Sequence, residues 1–210
     1  DQPRSRGLGD VYKRQVLVSA GGSFDIASGG RTHQAPGDMA LMDTVAGAHL
    51  HAPSTVEEAD AVVRLAAASE GLHYVRLVEQ TNTESFPVTA APAWHVVRRG
   101  KRGTVLALGP VLDAVLAASE GLDLTVAYTH RIRPLDAVGL RQLATGTDVV
   151  VVEPWLTGTS AHAVQEALSD RPLRFEFLGV GREELRRYGT PAEHVAAHGL
   201  DPHGIRQRLT

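Results

Sequence analysis

The chain has 210 residues, 43% hydrophobic and 21% charged, with a formal net charge of -3 and no cysteine. Scattered Lys and Arg exclude the basic face of a nucleic-acid partner, and no apolar run approaches the roughly 20 residues that span a bilayer. Disulfides, thiolate metal sites and thiol nucleophiles are excluded as well. The remaining class is a cytoplasmic α/β protein with one large or two small cores.

Residues 1–15 are polar and Arg-rich, without hydrophobic period. The string SRGLGDVYKRQ resembles translated sequencing-library adapter, so this stretch reads as foreign to the domain, and position 16 as a break rather than a start. From Val16 onward strands alternate with helices, the pattern of βα units around a mostly parallel sheet. Val16–Ser19 predicts a strand, followed by a long Gly/Ser-rich loop to Pro36 and a short helix over Asp38–Thr44. Ala48–Ala52 predicts a strand. Pro53-Ser54-Thr55 then supplies a turn and an N-cap for a helix running to about Glu70, with Val56, Ala59, Val63 and Ala66 on its inner face. His73–Val78 predicts the next strand. Residues 87–103 read as a linker, with a short edge strand at Trp94–Val97 and a polar turn at Arg98–Gly103.

Beyond the linker, strands are expected at Thr104–Leu108, Leu122–Tyr128, Asp148–Glu153 and Leu173–Leu178. Helices are expected from Gly109-Pro110 to Ser119, at Leu135–Ala144 and Ser160–Leu168, and near Glu183–Tyr188, Ala192–His198 and His203–Leu209. AASEGL occurs at both 67–72 and 117–122, where local helix capping explains it better than a repeat architecture.

Gly29-Gly30-Arg31-Thr32-His33-Gln34 is the most informative stretch. Glycines let backbone approach a ligand, and Thr, His and Gln offer hydrogen bonds, His also a proton near neutral pH. Taken alone, a loop His is more often structural than catalytic. Elsewhere the chemistry is thinner. His49 and His51 alternate on one strand face without carboxylate company, and His194 and His198 sit at i, i+4 on what reads as a partly exposed helix face. Val195 stands where a zinc-protease helix needs Glu. Gly158-Thr159-Ser160 reads as a helix N-cap, and Gly179-Val180-Gly181 lacks the third Gly of a dinucleotide fingerprint.

The order VLVSAGGSFDIASGGRTHQAPGDMALM, TVLALGPVLDAVLAA, AYTHRIRPLDAVGL, VVVVEPW, AHAVQEAL and GVGREELRRYGTPAEHVAAHGLD resembles the C-terminal part of transketolase and its relatives over residues 16–210. The resemblance implies an α/β chain: a truncated parallel-sheet pyrimidine-binding domain (16–86), the linker, and a three-layer α/β/α C-terminal domain (104–210). It implies a thiamin-diphosphate-dependent enzyme moving a two-carbon ketol unit between sugar phosphates. His33 is then the catalytic group at the substrate, Thr32 and Gln34 neighbouring substrate-binding groups, and Asp38 a loop-shaping group. Arg76 is a candidate phosphate contact, weighed equally against a surface Arg paired with Glu79.

Departures bear on the substrate: Gly21 replaces a second His, Gly29 an Asp, Gly37 a Glu, Asp43 an Arg, and Glu79 an Arg. The family's catalytic Glu, aromatic cofactor shelf and metal ligands all lie upstream of Val16. No cofactor or metal is therefore expected on the isolated chain, which is expected to be inactive. Thiamin diphosphate and Mg2+ belong to the complete enzyme, a homodimer or heterotetramer with the missing diphosphate-binding domain or subunit as partner. The alternatives are a fragment of a 2-oxo-acid dehydrogenase E1 beta subunit or deoxyxylulose-phosphate synthase, or a non-catalytic subunit-association protein.

Overall fold

The computed structural model describes residues 14–183 and 188–210. The readings of residues 1–13 and of most of the helix near Glu183–Tyr188 therefore lie outside the described residues. Two sheets organise the rest. The first has strand order β1-β3-β2-β7 and comprises β1 (Arg14–Ser19), β2 (His49–His51), β3 (Gly71–Arg76) and β7 (Arg131–Arg133). The second has order β4-β6-β5-β8-β9 and comprises β4 (His95–Arg98), β5 (Thr104–Leu108), β6 (Thr125–Thr129), β8 (Asp148–Leu156) and β9 (Arg174–Val180).

In the second sheet every pairing is parallel except that of edge strand β4 with β6. Strands covered on both faces read as continuous apolar runs, and alternate residues serve opposite faces. Leu106 and Leu108 of β5 join one core with Leu140 and Leu143 of α4 (Ala137–Leu143) and Val164 and Leu168 at α5 (Ala161–Ala167). Val105 and Ala107 join the other core, with Leu112 and Val115 of α3 (Leu112–Ala118) and Ile205 of α7 (Pro202–Leu209). The expected three-layer α/β/α domain is present. No helix among the described residues is long and apolar enough to cross a membrane.

Several boundaries differ from expectation. β1 begins at Arg14 because Arg14 and Gln15 pair with Gly71 and Leu72 of β3, so two residues read with the foreign segment lie within the sheet. The predicted inner face of the helix after Thr55 holds for Ala66 but not for Val56 or Val63. In α2 (Val56–Ala68) the buried residues are Glu58, Val62 and Ala66, whereas Val56 is 77% exposed and Val63 also faces outward. The helix is rotated because the Glu58 carboxylate is drawn inward by buried donors. Helix α2 itself starts as the sequence implies, with the Thr55 hydroxyl accepting the Glu58 N–H at 3.2 Å. Trp94–Val97 is realised as β4, one residue later and built into the second sheet by pairing with β6.

β7 falls between the expected strand ending at Tyr128 and the expected helix beginning at Leu135, where no element was expected. It pairs antiparallel with β2, so the C-terminal half of the chain adds a strand to the sheet of the N-terminal half. The two AASEGL copies behave alike: Gly71 and Gly121 have φ of 97° and 74°, conformations that glycine adopts without steric cost. At the other edge of the first sheet, Leu17 and Val18 of β1 are both exposed, although consecutive strand residues point to opposite faces.

Candidate functional site

The loop after β1 carries the sequence-predicted residues. It makes two 3-10 turns, Ala27–Gly29 and Arg31–His33, before α1 (Asp38–Met42). Thr32 and His33 are exposed on the second turn, and Thr32 Oγ1 lies 3.0 Å from His33 Nδ1. His33 Nδ1 is also 3.1 Å from the Gly29 carbonyl, which can only accept. That contact selects the Nδ1–H tautomer and leaves Nε2 as the accepting nitrogen. Gly29 is required for the approach, since a Cβ there would stand 2.7 Å from His33 Cγ. Gln34, by contrast, is buried, with Nε2 3.5 Å from His194 Nε2. It lines an open cleft of about 720 Å³ together with Arg31, Leu156 and Gly181.

Arg76 is neither a surface residue nor a partner of Glu79. Its side chain is 1% exposed; Nε donates to Asp38 Oδ2 at 2.7 Å and Nη2 to Ser23 Oγ at 2.6 Å. The guanidinium stands 5.6 Å from the Trp155 ring centroid, a cation–π geometry. Ser23 in turn donates to the Pro154 carbonyl, so Arg76 ties the first sheet to β8 of the second. Gly22 makes room for this packing, because a Cβ there would lie 2.6 Å from Arg76 Cζ. Asp38 also accepts the Tyr74 hydroxyl at 3.0 Å, which anchors the end of the His33 loop. Burial pushes the Tyr74 phenol up to about 12, offset partly by its hydrogen bond with Ser19.

Two buried carboxylates went unmarked in the sequence reading. Glu58 accepts from the Ser54 backbone N–H (2.8 Å), the Ser54 hydroxyl (3.0 Å), the Tyr128 hydroxyl (2.6 Å) and the Phe86 N–H (2.9 Å). Its place in the first turn of α2 looks like simple dipole chemistry, which hides it. Glu153 accepts from Trp155 Nε1 (2.8 Å) and the Ser160 N–H (3.2 Å), and burial pushes its carboxyl up to about 7. An acid interrupting the valine run of β8 was the available signal. Ser160 sits at the N-cap position of α5 without a side-chain cap hydrogen bond.

The histidines also rearrange expectation. His194 is fully buried, stacked 4.7 Å from Phe24, with His198 stacking on the same ring at 5.3 Å. His49 and His51 are joined by His73, with His51 Nε2 to His73 Nδ1 at 3.1 Å. One imidazole must donate and the other accept, which engages those nitrogens with each other. Burial and then the Arg131 charge push His51 down to about 2. No group of three or more metal-ligating side chains comes together among the described residues.

No family model matches the chain. An uncharacterised 33.6 kDa protein in the fasciation locus of Rhodococcoides fascians is 41% identical over 194 residues, covering 90% of this chain and 62% of that protein. A 1-deoxy-D-xylulose-5-phosphate synthase from Leptothrix cholodnii is 35% identical over 196 residues, covering 86% of this chain and 30% of that enzyme. A split-gene transketolase, solved as an inactive beta4 tetramer, has a TM-score of 0.76 at 26% identity, covering 92% of this chain and 65% of that one. The chain is transketolase-like. A Campylobacter jejuni transketolase shares the fold alone, with a TM-score of 0.68 at 14% identity over 92% of this chain and 31% of that enzyme. The transketolase-like chain thus spans less than two thirds of the length of each of these relatives.

Proposed function

We propose that this chain is the C-terminal portion of a transketolase-type enzyme that transfers a two-carbon ketol unit between sugar phosphates, and that it is inactive alone. The observation that carries this reading is the His33 turn: an exposed imidazole with its tautomer set by Gly29, on a loop anchored through Asp38 and Arg76. At a bound substrate, His33 Nε2 accepts a hydrogen bond or a proton, and Thr32 holds the ring in place. Gln34 shapes the loop from its buried side, and Arg76 positions it through Asp38. The cofactor of this enzyme class, thiamin diphosphate with Mg2+, supplies the carbanion chemistry when bound. Its diphosphate and metal belong to a complementary domain or subunit. The split-gene transketolase is known as a tetramer, which supports a subunit partner here, in a homodimer or heterotetramer.

The deoxyxylulose-phosphate synthase relative supports a second reading, in which the complete enzyme makes that product instead. The deciding assay mixes the chain with the diphosphate-binding half from its own source, thiamin diphosphate and Mg2+. Ketol transfer between sugar phosphates in the mixture, with none from the chain alone, is expected. Deoxyxylulose phosphate as the sole product selects the second reading, and turnover by the chain alone refutes both the fragment role and the need for a partner. His33→Ala is expected to lower turnover about 100-fold, with binding of the complementary half unchanged.

A further inference from the structure

A segment late in the chain packs against the loop that carries His33. Helix α6 (Pro191–Ala197) begins on a capping box, in which the Thr190 hydroxyl accepts the Glu193 N–H at 3.3 Å and Glu193 Oε2 accepts the Thr190 N–H at 2.8 Å. Tyr188 lies just before that N-cap, so the box sets the path of the chain on which Tyr188 is carried. From α6 itself, buried His194 stacks on Phe24 at 4.7 Å and stands 3.5 Å from Gln34. Helix and loop are therefore held together by groups other than Tyr188.

Tyr188 meets the loop at Gly30. A Cβ added to Gly30 would stand 2.7 Å from Tyr188 Cε1, 3.2 Å from Cδ1 and 3.3 Å from Cζ, so the edge of the ring lies against the glycine and makes the contact through carbon. Gly30 also has a φ of 74°, a second reason for glycine there. The His33 turn is built on this residue. Its N–H donates to the Ala27 carbonyl at 3.0 Å, and its own carbonyl accepts the His33 N–H at 2.9 Å. Gly30 is buried, whereas Tyr188 is 73% exposed. Core packing does not explain an aromatic ring at that exposure; covering Gly30 does.

We infer that Tyr188 is a positioning residue for the proposed reaction: its ring holds Gly30, and through Gly30 the His33 turn, in the geometry that keeps His33 Nδ1–H on the Gly29 carbonyl and Nε2 as the accepting nitrogen. A single 3-10 turn has few hydrogen bonds of its own, so an outside contact decides how narrowly the imidazole is held. The part Tyr188 plays in turnover rests on the ketol-transfer reading; its effect on the turn does not.

Nitrogen NMR of the full chain, at a pH where imidazole is neutral, reads the His33 tautomer in wild type, Tyr188→Ala and Tyr188→Phe. Wild type is expected to show the Nδ1–H form, and Tyr188→Ala to lose about half of it to the Nε2–H form. Tyr188→Phe should match wild type, because it keeps the ring carbons that meet Gly30. In the mixture with the complementary half, thiamin diphosphate and Mg2+, Tyr188→Ala should lower kcat about tenfold with KM little changed, and Tyr188→Phe should not. Circular dichroism and the unfolding midpoint establish that both variants fold. An unchanged tautomer in Tyr188→Ala, or the same loss in Tyr188→Phe, would overturn the assignment. So would a wild-type kcat for Tyr188→Ala where His33→Ala has lost turnover. Normal turnover by His33→Ala would instead sink the ketol-transfer reading of His33, and the tautomer alone would then decide whether Tyr188 fixes the turn.

Discussion

Tyr128 of β6 donates its phenolic hydrogen to Glu58 of α2 at 2.6 Å, joining two halves of the chain across 70 residues of sequence. Ser54 completes the group, with its hydroxyl 2.8 Å from Tyr128 and 3.0 Å from Glu58. Burial, reinforced by the Glu58 charge, pushes the Tyr128 phenol above its ordinary value, so it remains a donor. Tyr128→Phe removes one of four hydrogen bonds to a buried carboxylate and is expected to cost about 1–3 kcal/mol. Glu58→Ala strands several donors and should cost more. Urea unfolding of the two single variants and the double variant measures the coupling; additive losses would show that the pair does not join the halves energetically.

The buried Arg76–Asp38 pair makes a separate prediction. Arg76→Ala leaves the Asp38 carboxylate short of its charge partner and is expected to destabilise the protein by about 3–5 kcal/mol. Arg76→Lys should recover little, because one ammonium cannot reproduce donors aimed at Asp38 and Ser23 while lying over Trp155. Gly22→Ala should resemble it in direction, since the new Cβ meets the guanidinium at 2.6 Å. The unfolding midpoint and Trp155 emission report both effects, and a wild-type midpoint for Arg76→Lys would contradict the geometry.

Acid should weaken the fold through its histidines. His51, His73, His49 and His130 all have pKa values lowered first by burial. In each case the unfolded chain binds the proton more readily. This contribution to stability is fully present above the ordinary value of 6.5 and is lost as pH falls from there toward the folded values, about 2 for His51. Unfolding free energy is therefore expected to decline on acidification below about pH 6.5, more shallowly in His51→Phe. Identical slopes for the variant and wild type would remove His51 from this account.

Glu153 titrates with the opposite sign. Its carboxyl is raised from 4.5 to about 7 by burial, so the folded state holds the proton longer. Its contribution is present below 4.5 and lost as pH rises through 7. Glu153→Gln lacks that loss and should gain on wild type between pH 5 and 8, by at most about 3 kcal/mol. Thermal unfolding at both pH values gives the answer; a constant difference between the proteins would mean that Glu153 does not titrate in this range.

Much of the architecture was legible because it is local. Val149–Val152 spells out a strand covered on both faces, and Thr55 marks a helix start that the structure realises as a cap. The candidate site was legible only in part. Thr32 and His33 occur together in the sequence and remain together in the fold. Arg76 and Glu58 misled because periodicity treats a charge as outward-facing, while their partners Asp38 and Tyr128 stand 38 and 70 residues away. β7 has three residues, too few for any period to register, and exists because β2 offers an edge to pair with.

By itself, then, the sequence determined most of the succession of strands and helices, the Thr55 cap and the pairing of Thr32 with His33, since each depends on residues within a few positions of one another. Tertiary structure alone decided which charges are buried and how the two sheets are joined through Arg76 and Glu58. Those outcomes rest on desolvation and pairing between groups that only the folded chain brings within hydrogen-bonding distance.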